Sequence, residues 1–264
     1  MSDRLAAYEQ VADTIGARLA NTRTYVLDGD ERKAHRVIAE LSAKEPSSVI
    51  AIGSLAARVA PRLSEWPVVY CLDFTPGTAR ALSSNVRGVQ AAPPAFKQLQ
   101  AWKMLDPRLR RLTLITGPGR GEFAREAQAA ARRLGIVLDH LDVRSDRELL
   151  YAIKRIDPDV RGVWLVPDNR VLSSGVLREA LAYMLRQGKQ TLVFNSQLLN
   201  YGGLISVEAD PQDVAERVLE QLRAPRSMPR EAPLRRARTV INTEIAKQLG
   251  LVIPPAMEGG LYVF

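Results

Sequence analysis

The chain has 264 residues, 46% of them hydrophobic and 25% charged, which is enough to bury a substantial core in one large domain or two modest ones. No run approaches the roughly 20 apolar residues that span a bilayer, and residues 1–20, with Asp3, Glu9 and Asp13, lack the apolar stretch of a secretory signal. A net charge of +8 invites a nucleic-acid reading, but the densest basic stretch, residues 223–238, is broken by Pro225, Pro229 and Pro233 and carries no stacking aromatics, so a solvated linker is expected there and no nucleic-acid partner.

In chain order, residues 5–19 predict a helix with Leu5, Tyr8, Ala12, Ile15 and Leu19 on one stripe, and residues 24–27 a short strand closed by Asp28-Gly29-Asp30. Helix 31–44 leads into strand 49–52, helix 55–63 into strand 67–72, and residues 85–89 form a further strand, giving a parallel sheet of four strands. A doubly wound sheet normally opens on a strand that feeds its first helix, whereas here helix-forming sequence comes almost directly after Met1; the expectation is that the sequence begins late, which would also remove an export signal, the alternative being an unusual sheet that has lost its central strand. After Ala91-Ala92-Pro93-Pro94 the alternation restarts with an amphipathic helix through Phe96, Leu99, Trp102 and Leu105. Strands at 112–116, 137–143, 162–166 and 191–194 alternate with helices at 121–134, 147–156 and 175–187, so two α/β units lie in tandem. A strand at 204–208, a helix at 211–222, the basic stretch, Thr239-Val240-Ile241-Asn242 and a last helix complete the chain.

Short apolar runs that stop on small or polar residues read as parallel strands buried on both faces, and such sheets bind ligands at their carboxyl ends. The residues just past each run are therefore the candidates. Ser54 and Leu55 open a helix whose free amides and positive dipole end can hold a carboxylate, the Ser54 hydroxyl adding a donor; helix capping by Ser54 explains the residue equally well. Asp73 offers an acceptor, or caps the turn before Pro76-Gly77. Asp168 can pair with a ligand ammonium and is followed by Asn169, while Asn195 and Ser196 offer donors and acceptors or simply form a turn. Tyr70 and Phe74 bracket Asp73, and either can wall a site or pack inward. Cys71, the single cysteine, excludes an internal disulfide and reads as a packed thiol.

The order of the later pieces carries a resemblance. Ile205-Ser206-Val207, Asp210-Pro211 with its helix, Val240-Ile241-Asn242-Thr243 and residues 246–254, Ala-Lys-Gln-Leu-Gly-Leu-Val-Ile-Pro, resemble the closing third of the ABC-transporter substrate-binding proteins of periplasmic-binding-protein type I fold, the group with tryptophan and tyrosine binders. Ile50-Ala51-Ile52-Gly53-Ser54, Pro67-Val68-Val69, residues 85–89, Leu134-Gly135-Ile136 and Pro167-Asp168-Asn169 match as well, from about residue 34 onward. Relatives usually carry Asp-Pro where this chain reads Asp73-Phe74-Thr75-Pro76.

The resemblance implies two Rossmann-like lobes with parallel sheets, residues 1–89 plus 205–232 and residues 93–202 plus 238–264, joined by three crossings with a ligand cleft between. It implies a solute-binding component of an ABC import system that closes by a hinge on an amino acid or related molecule, aromatic in one version, with an ABC permease of the inner membrane as partner and a periplasmic or extracellular location. It places Gly119 beside the cleft, and the protein is expected as a monomer without cofactor. A ligand-sensing regulatory domain of the same fold is the alternative, and a nucleotide-sugar or phosphate-handling enzyme a third reading. Enzyme signatures are weak: Gly117-Pro118-Gly119-Arg120-Gly121 lacks the Gly-Lys-Ser/Thr ending of a P-loop, His35 and His140 have no metal-ligand partners at useful spacing, and there is no nucleophile elbow, so no catalytic residue and no metal are expected.

Overall fold

The computed structural model describes residues 1–264 except Ser64, 76–84, 169–171, Arg226, 258–260 and Phe264, with the backbone alone at 261–263. The chain divides into two compact units, Met1–Ala92 with Ala209–Arg236, and Pro93–Glu208 with Ala237–Phe264, so it passes between them three times.

Unit 1 opens with α1 (Ala6–Gly16), then α2 (Glu31–Lys44), β1 (Val49–Ile52), α3 (Ser54–Val59), a 3-10 turn over Ala60–Leu63, β2 (Val68–Cys71) and β3 (Val86–Val89). Asp30 starts α2 by accepting hydrogen bonds from the Arg32 and Lys33 amides, so the polar turn 28–30 is a helix cap and not merely a strand end. Unit 2 continues as α4 (Ala95–Leu105), β4 (Arg111–Thr116), α5 (Gly121–Arg133), β5 (Val137–Asp142), α6 (Asp146–Lys154), β6 (Gly162–Leu165), α7 (Ser174–Arg186), β7 (Gln190–Val193) and β8 (Ile205–Ala209). Ser145 and Ser173 cap α6 and α7. The chain then returns to unit 1 through α8 (Pro211–Arg223) and β9 (Glu231–Ala232), and closes with β10 (Arg236–Ile241), α9 (Thr243–Gln248) and β11 (Leu261–Val263). Among the described residues no helix is long and apolar enough to cross a membrane.

Sheet order in unit 1 is β1-β2-β3-β9, parallel throughout. The fourth strand is thus Glu231–Ala232, set between Pro229 and Pro233 at an edge that tolerates proline, and not the expected 24–27. Residues 24–27 form no strand because only one short partner reaches them. The Met1 amine donates to Tyr25 O at 2.7 Å, Leu27 N donates back to Met1 O at 3.0 Å and Gly29 N donates to Ser2 O at 3.1 Å, so only Met1 and Ser2 pair with this stretch among the described residues. Unit 2 carries the order β11-β10-β8-β7-β6-β4-β5. Residues 205–208, expected in the first lobe, belong to this sheet: Ile205 and Ser206 lie in register with Leu192 and Val193 of β7. Edge strand β5 is half exposed, whereas β2, β3, β6 and β7 are buried along their length, which is why they read as unbroken apolar runs.

The basic stretch is solvent-exposed at Arg223, Arg230, Arg235 and Arg238, as expected, but it is tied to the fold and is not a free linker. Asp213, almost fully buried, accepts hydrogen bonds from the amides of Arg235 and Arg236, and the Arg236 guanidinium lies 3.1 Å from Glu216. Arg87 reaches up from β3 to Gln221 Oε1 at 2.6 Å and to the carbonyls of Met228 and Pro229 at 3.0 Å, tying the same stretch to the sheet. Tyr70 packs in the core with its hydroxyl donating to Glu231, so it walls no ligand site.

At the amino ends of unit 2 a polar network is closed on itself. Asp106, with 1% of its side chain exposed, accepts from Gln190 Nε2 at 2.6 Å and pairs with Arg161 at 3.2 Å, while Gln190 Oε1 accepts from Trp102 Nε1. Such satisfied buried networks fix a core and leave nothing for a ligand.

Candidate functional site

The carboxyl ends of the strands differ from that closed network, and each unit presents a candidate site of its own there. In unit 1, β1 runs into Gly53, whose φ of 89° and ψ of 168° belong to a region essentially reserved for glycine. A Cβ there would meet Ser2 Oγ and Tyr8 Cε2, each at 2.7 Å, so the backbone turns under these two side chains. Gly53, not Ser54, is the N-cap of α3, and the capping oxygen comes from Ser2, whose Oγ accepts from the Ala56 amide at 3.0 Å. The helix-capping role considered for Ser54 is therefore taken by a residue near the start of the chain. The Ser54 hydroxyl and the amides of Ser54 and Leu55 have no acceptor or donor partner among the described residues, although the Leu55 side chain itself packs onto the core.

Beside them β2 ends at Leu72, held at φ 54° although it carries a side chain, and this turn sets Asp73 at the strand end. Asp73 Oδ1 accepts from the Thr75 amide at 2.9 Å, which is the turn-capping role; the carboxylate is half-buried. The Tyr8 hydroxyl is pushed up to about 12 chiefly by burial and then by Asp3, Cys71 and Asp73, so it stays neutral. The candidate site in unit 1 thus combines two helix-opening amides, two hydroxyls and a carboxylate.

In unit 2 the sheet order lines up the ends of β4, β6, β7 and β8, four adjacent strands that span roughly 14 Å at about 4.8 Å per spacing. Gly119, past β4, has φ 84° and open space where a Cβ would stand, so its backbone is bare. Arg120 donates to Pro167 O at 2.8 Å, holding the β4 and β6 loops together. Asp168 comes next with only 7% of its surface exposed; Asn169 lies outside the described residues. Asn195 Oδ1 accepts from the Gln197 amide at 2.8 Å and opens a 3-10 turn, Ser196–Tyr201, the turn-forming role weighed for it. The Ser196 amide donates to Glu208 Oε1, which also accepts from the Ser206 hydroxyl at 2.6 Å. Glu208 therefore adds a second carboxylate to this edge.

Ser2, Tyr8 and Glu208 were not singled out from the sequence. Glu208 ends an apolar strand run much as Asp168 does, and the same rule applied to β8 names it; Ser2 and Tyr8 act across the chain and have no local signature.

A family model described as ABC transporter substrate binding protein matches residues 25–258. The chain belongs to that family. Among solved structures it is similar to a domain from Streptococcus pneumoniae in complex with L-Trp, at 21% identity and TM-score 0.69, over 98% of this chain and 96% of that one. A ligand-free, open substrate-binding protein with adhesive properties from Clostridium difficile shares 14% identity at TM-score 0.75, over 97% and 95%. A conserved domain protein from Vibrio cholerae shares 17% at TM-score 0.66, over 97% and 93%. No curated protein matches. The fold is that of periplasmic-binding-protein type I. Membership implies a small-molecule ligand, an ABC permease as partner and a location on the periplasmic or extracellular side.

Proposed function

We propose that the chain captures an amino acid or a close relative between its two units and delivers it, closed, to an ABC permease. The reading is carried by the opposite polarity of the two half-sites: donor amides at Ser54 and Leu55 on one, the Asp168 and Glu208 carboxylates on the other. A zwitterion fits that pair, its carboxylate at the opening of α3 and its ammonium at Asp168, with Asp73, Gly119, Asn195 and Ser196 bordering the remainder. Closure about the three crossings brings the half-sites onto one ligand, and no bond is made or broken. The pneumococcal neighbour holds L-Trp, so aromatic amino acids head the panel.

The test is a thermal-shift screen of the twenty amino acids and a set of sugars, followed by calorimetry. At 100-fold excess over Kd a ligand that binds only the folded protein stabilises it by about 2.7 kcal/mol, which for a chain of this size raises Tm by roughly 5–11 °C. Asp168→Asn is expected to abolish the shift while leaving the ligand-free Tm within a few degrees. A flat response to every amino acid together with a clear response to a sugar refutes the zwitterion reading.

A further inference from the structure

The β8 end of unit 2 carries a carboxylate with one oxygen unengaged. Glu208 is the last residue of unit 2 before the chain crosses to unit 1 at Ala209, and it is half-buried. Its Oε1 accepts from the Ser196 amide and from the Ser206 hydroxyl, the latter at 2.6 Å, and Ser206 itself is fully buried. Two donors on one oxygen fix the plane of the carboxylate and hence the direction of Oε2. Both donors are neutral. Among the described residues Oε2 takes no hydrogen bond, and no lysine, arginine or histidine forms an ion pair with Glu208, whereas Glu216 and Glu220 of α8 each meet an arginine. The fold has no use for the charge: an amide oxygen would accept from Ser196 and Ser206 just as well, and a half-buried carboxylate without an opposite charge has given up hydration for little return.

Sheet register places this carboxylate relative to Asp168 within the same unit. Trp164 of β6, Leu192 of β7 and Ile205 of β8 stand at one level. Counting on from that level, Asp168 and Glu208 leave the sheet within about one residue of each other, ~3.3 Å along the strands. With β7 between them, their strand lines are roughly 10 Å apart. Arg120, bonded to Pro167 O, stands on the β4 and β6 side of that span, away from β8.

Resting on the zwitterion reading above, we infer that Glu208 selects the side chain of the ligand and that this side chain is basic. The ligand is an α-amino acid whose second cation, an ammonium or guanidinium on a stem of about three or four carbons, pairs with Glu208 Oε2 while its α-ammonium pairs with Asp168. A charge-assisted hydrogen bond at each end spans about 2.7–2.9 Å, and the stem covers the rest of the distance between the two carboxylates. Tryptophan or tyrosine offers Glu208 a single neutral donor; a basic side chain offers the opposite charge.

The experiment is calorimetry on the 264-residue chain with L-lysine, L-arginine, L-norleucine and L-tryptophan, repeated on Glu208→Gln. Norleucine is the lysine stem without its terminal ammonium. Glutamine keeps an oxygen for the Ser196 and Ser206 donors, so the ligand-free Tm of the variant is expected within about 2 °C of the parent. Lysine or arginine is expected to bind the parent roughly ten- to hundredfold more tightly than norleucine, and Glu208→Gln to shrink that margin by about tenfold or more. Norleucine or tryptophan binding the parent as tightly as both basic amino acids overturns the inference and leaves the zwitterion reading standing. A margin that survives Glu208→Gln assigns the recognition to another group and overturns it too. Equal losses for lysine and norleucine in the variant make Glu208 a support for the 3-10 turn alone, which is also a refutation. Failure of every amino acid to bind sinks the zwitterion reading itself, and the inference with it.

Discussion

Replacing Gly53 with alanine tests whether the candidate site in unit 1 is held as described. The substitution forces an L-residue into φ 89°, ψ 168°, a conformation that costs about 1–3 kcal/mol, and it drives a methyl to 2.7 Å from both Ser2 Oγ and Tyr8 Cε2. Ser2 must then move, and α3 loses its capping oxygen, a further ~0.5–2 kcal/mol. Together these come to about 2–5 kcal/mol, or roughly 4–20 °C in Tm. Gly29→Ala, in the same unit, is the control, because its φ of 66° is also left-handed but a Cβ there meets only Asp3 Oδ1 at 3.4 Å, an ordinary contact; it should lose only about 1 kcal/mol. The assay is urea unfolding followed by thiol labelling, since the single cysteine, Cys71, is fully buried in unit 1 and reports that unit alone. Equal losses for the two alanine variants refute the close approach of Ser2 and Tyr8 over Gly53.

Burial pushes the Cys71 thiol up from 9 to about 12, so iodoacetamide near neutral pH should label it only as fast as unit 1 opens; with the folded thiol binding its proton more tightly than the unfolded one, the stabilisation is intact below pH 9 and is lost as pH rises from 9 towards 12, visible as a falling urea midpoint. Glu45 ends α2 at φ 45°, ψ 63°, exposed and left-handed, so Glu45→Gly should stabilise by about 0.5–1 kcal/mol in the same urea assay, and a loss of stability contradicts the cap geometry.

The apolar strand runs and their polar ends were legible because a strand buried on both faces must be apolar throughout, and the chain beyond it must turn. Ser54, Asp73, Gly119, Asp168, Asn195 and Ser196 do stand at strand ends in the structure. Pairing, by contrast, had no signature in the sequence. Residues 24–27 have strand composition but lack a ladder partner beyond Met1 and Ser2, and composition is silent on partners. Residues 205–208 are apolar and lead to Asp210-Pro211 whichever sheet they join, so only the register with β7 assigns them. The anchoring of the 223–238 stretch has no sequence signature, because Asp213, Glu216 and Glu220, which meet Arg235 and Arg236, are brought beside it by α8. Ser2 as a cap for α3 is a contact between residues 54 apart, closed by backbone bonds that no local rule anticipates.

Unit 1 is assembled from two stretches of chain, and this has a consequence for synthesis. Val69, Cys71 and Val89 wait for Val214 and Val218 of α8 to cover them, and Arg87 waits for Gln221. Ala92 and Arg236 are separated by 236 − 92 = 144 residues. At about 5–20 residues per second a ribosome takes roughly 7–30 s to make them, so the amino-terminal sheet emerges with one face bare throughout that interval. The nascent protein is a client for chaperones that bind apolar surface, and release from the ribosome, not emergence of the first sheet, sets the moment at which unit 1 becomes resistant to protease.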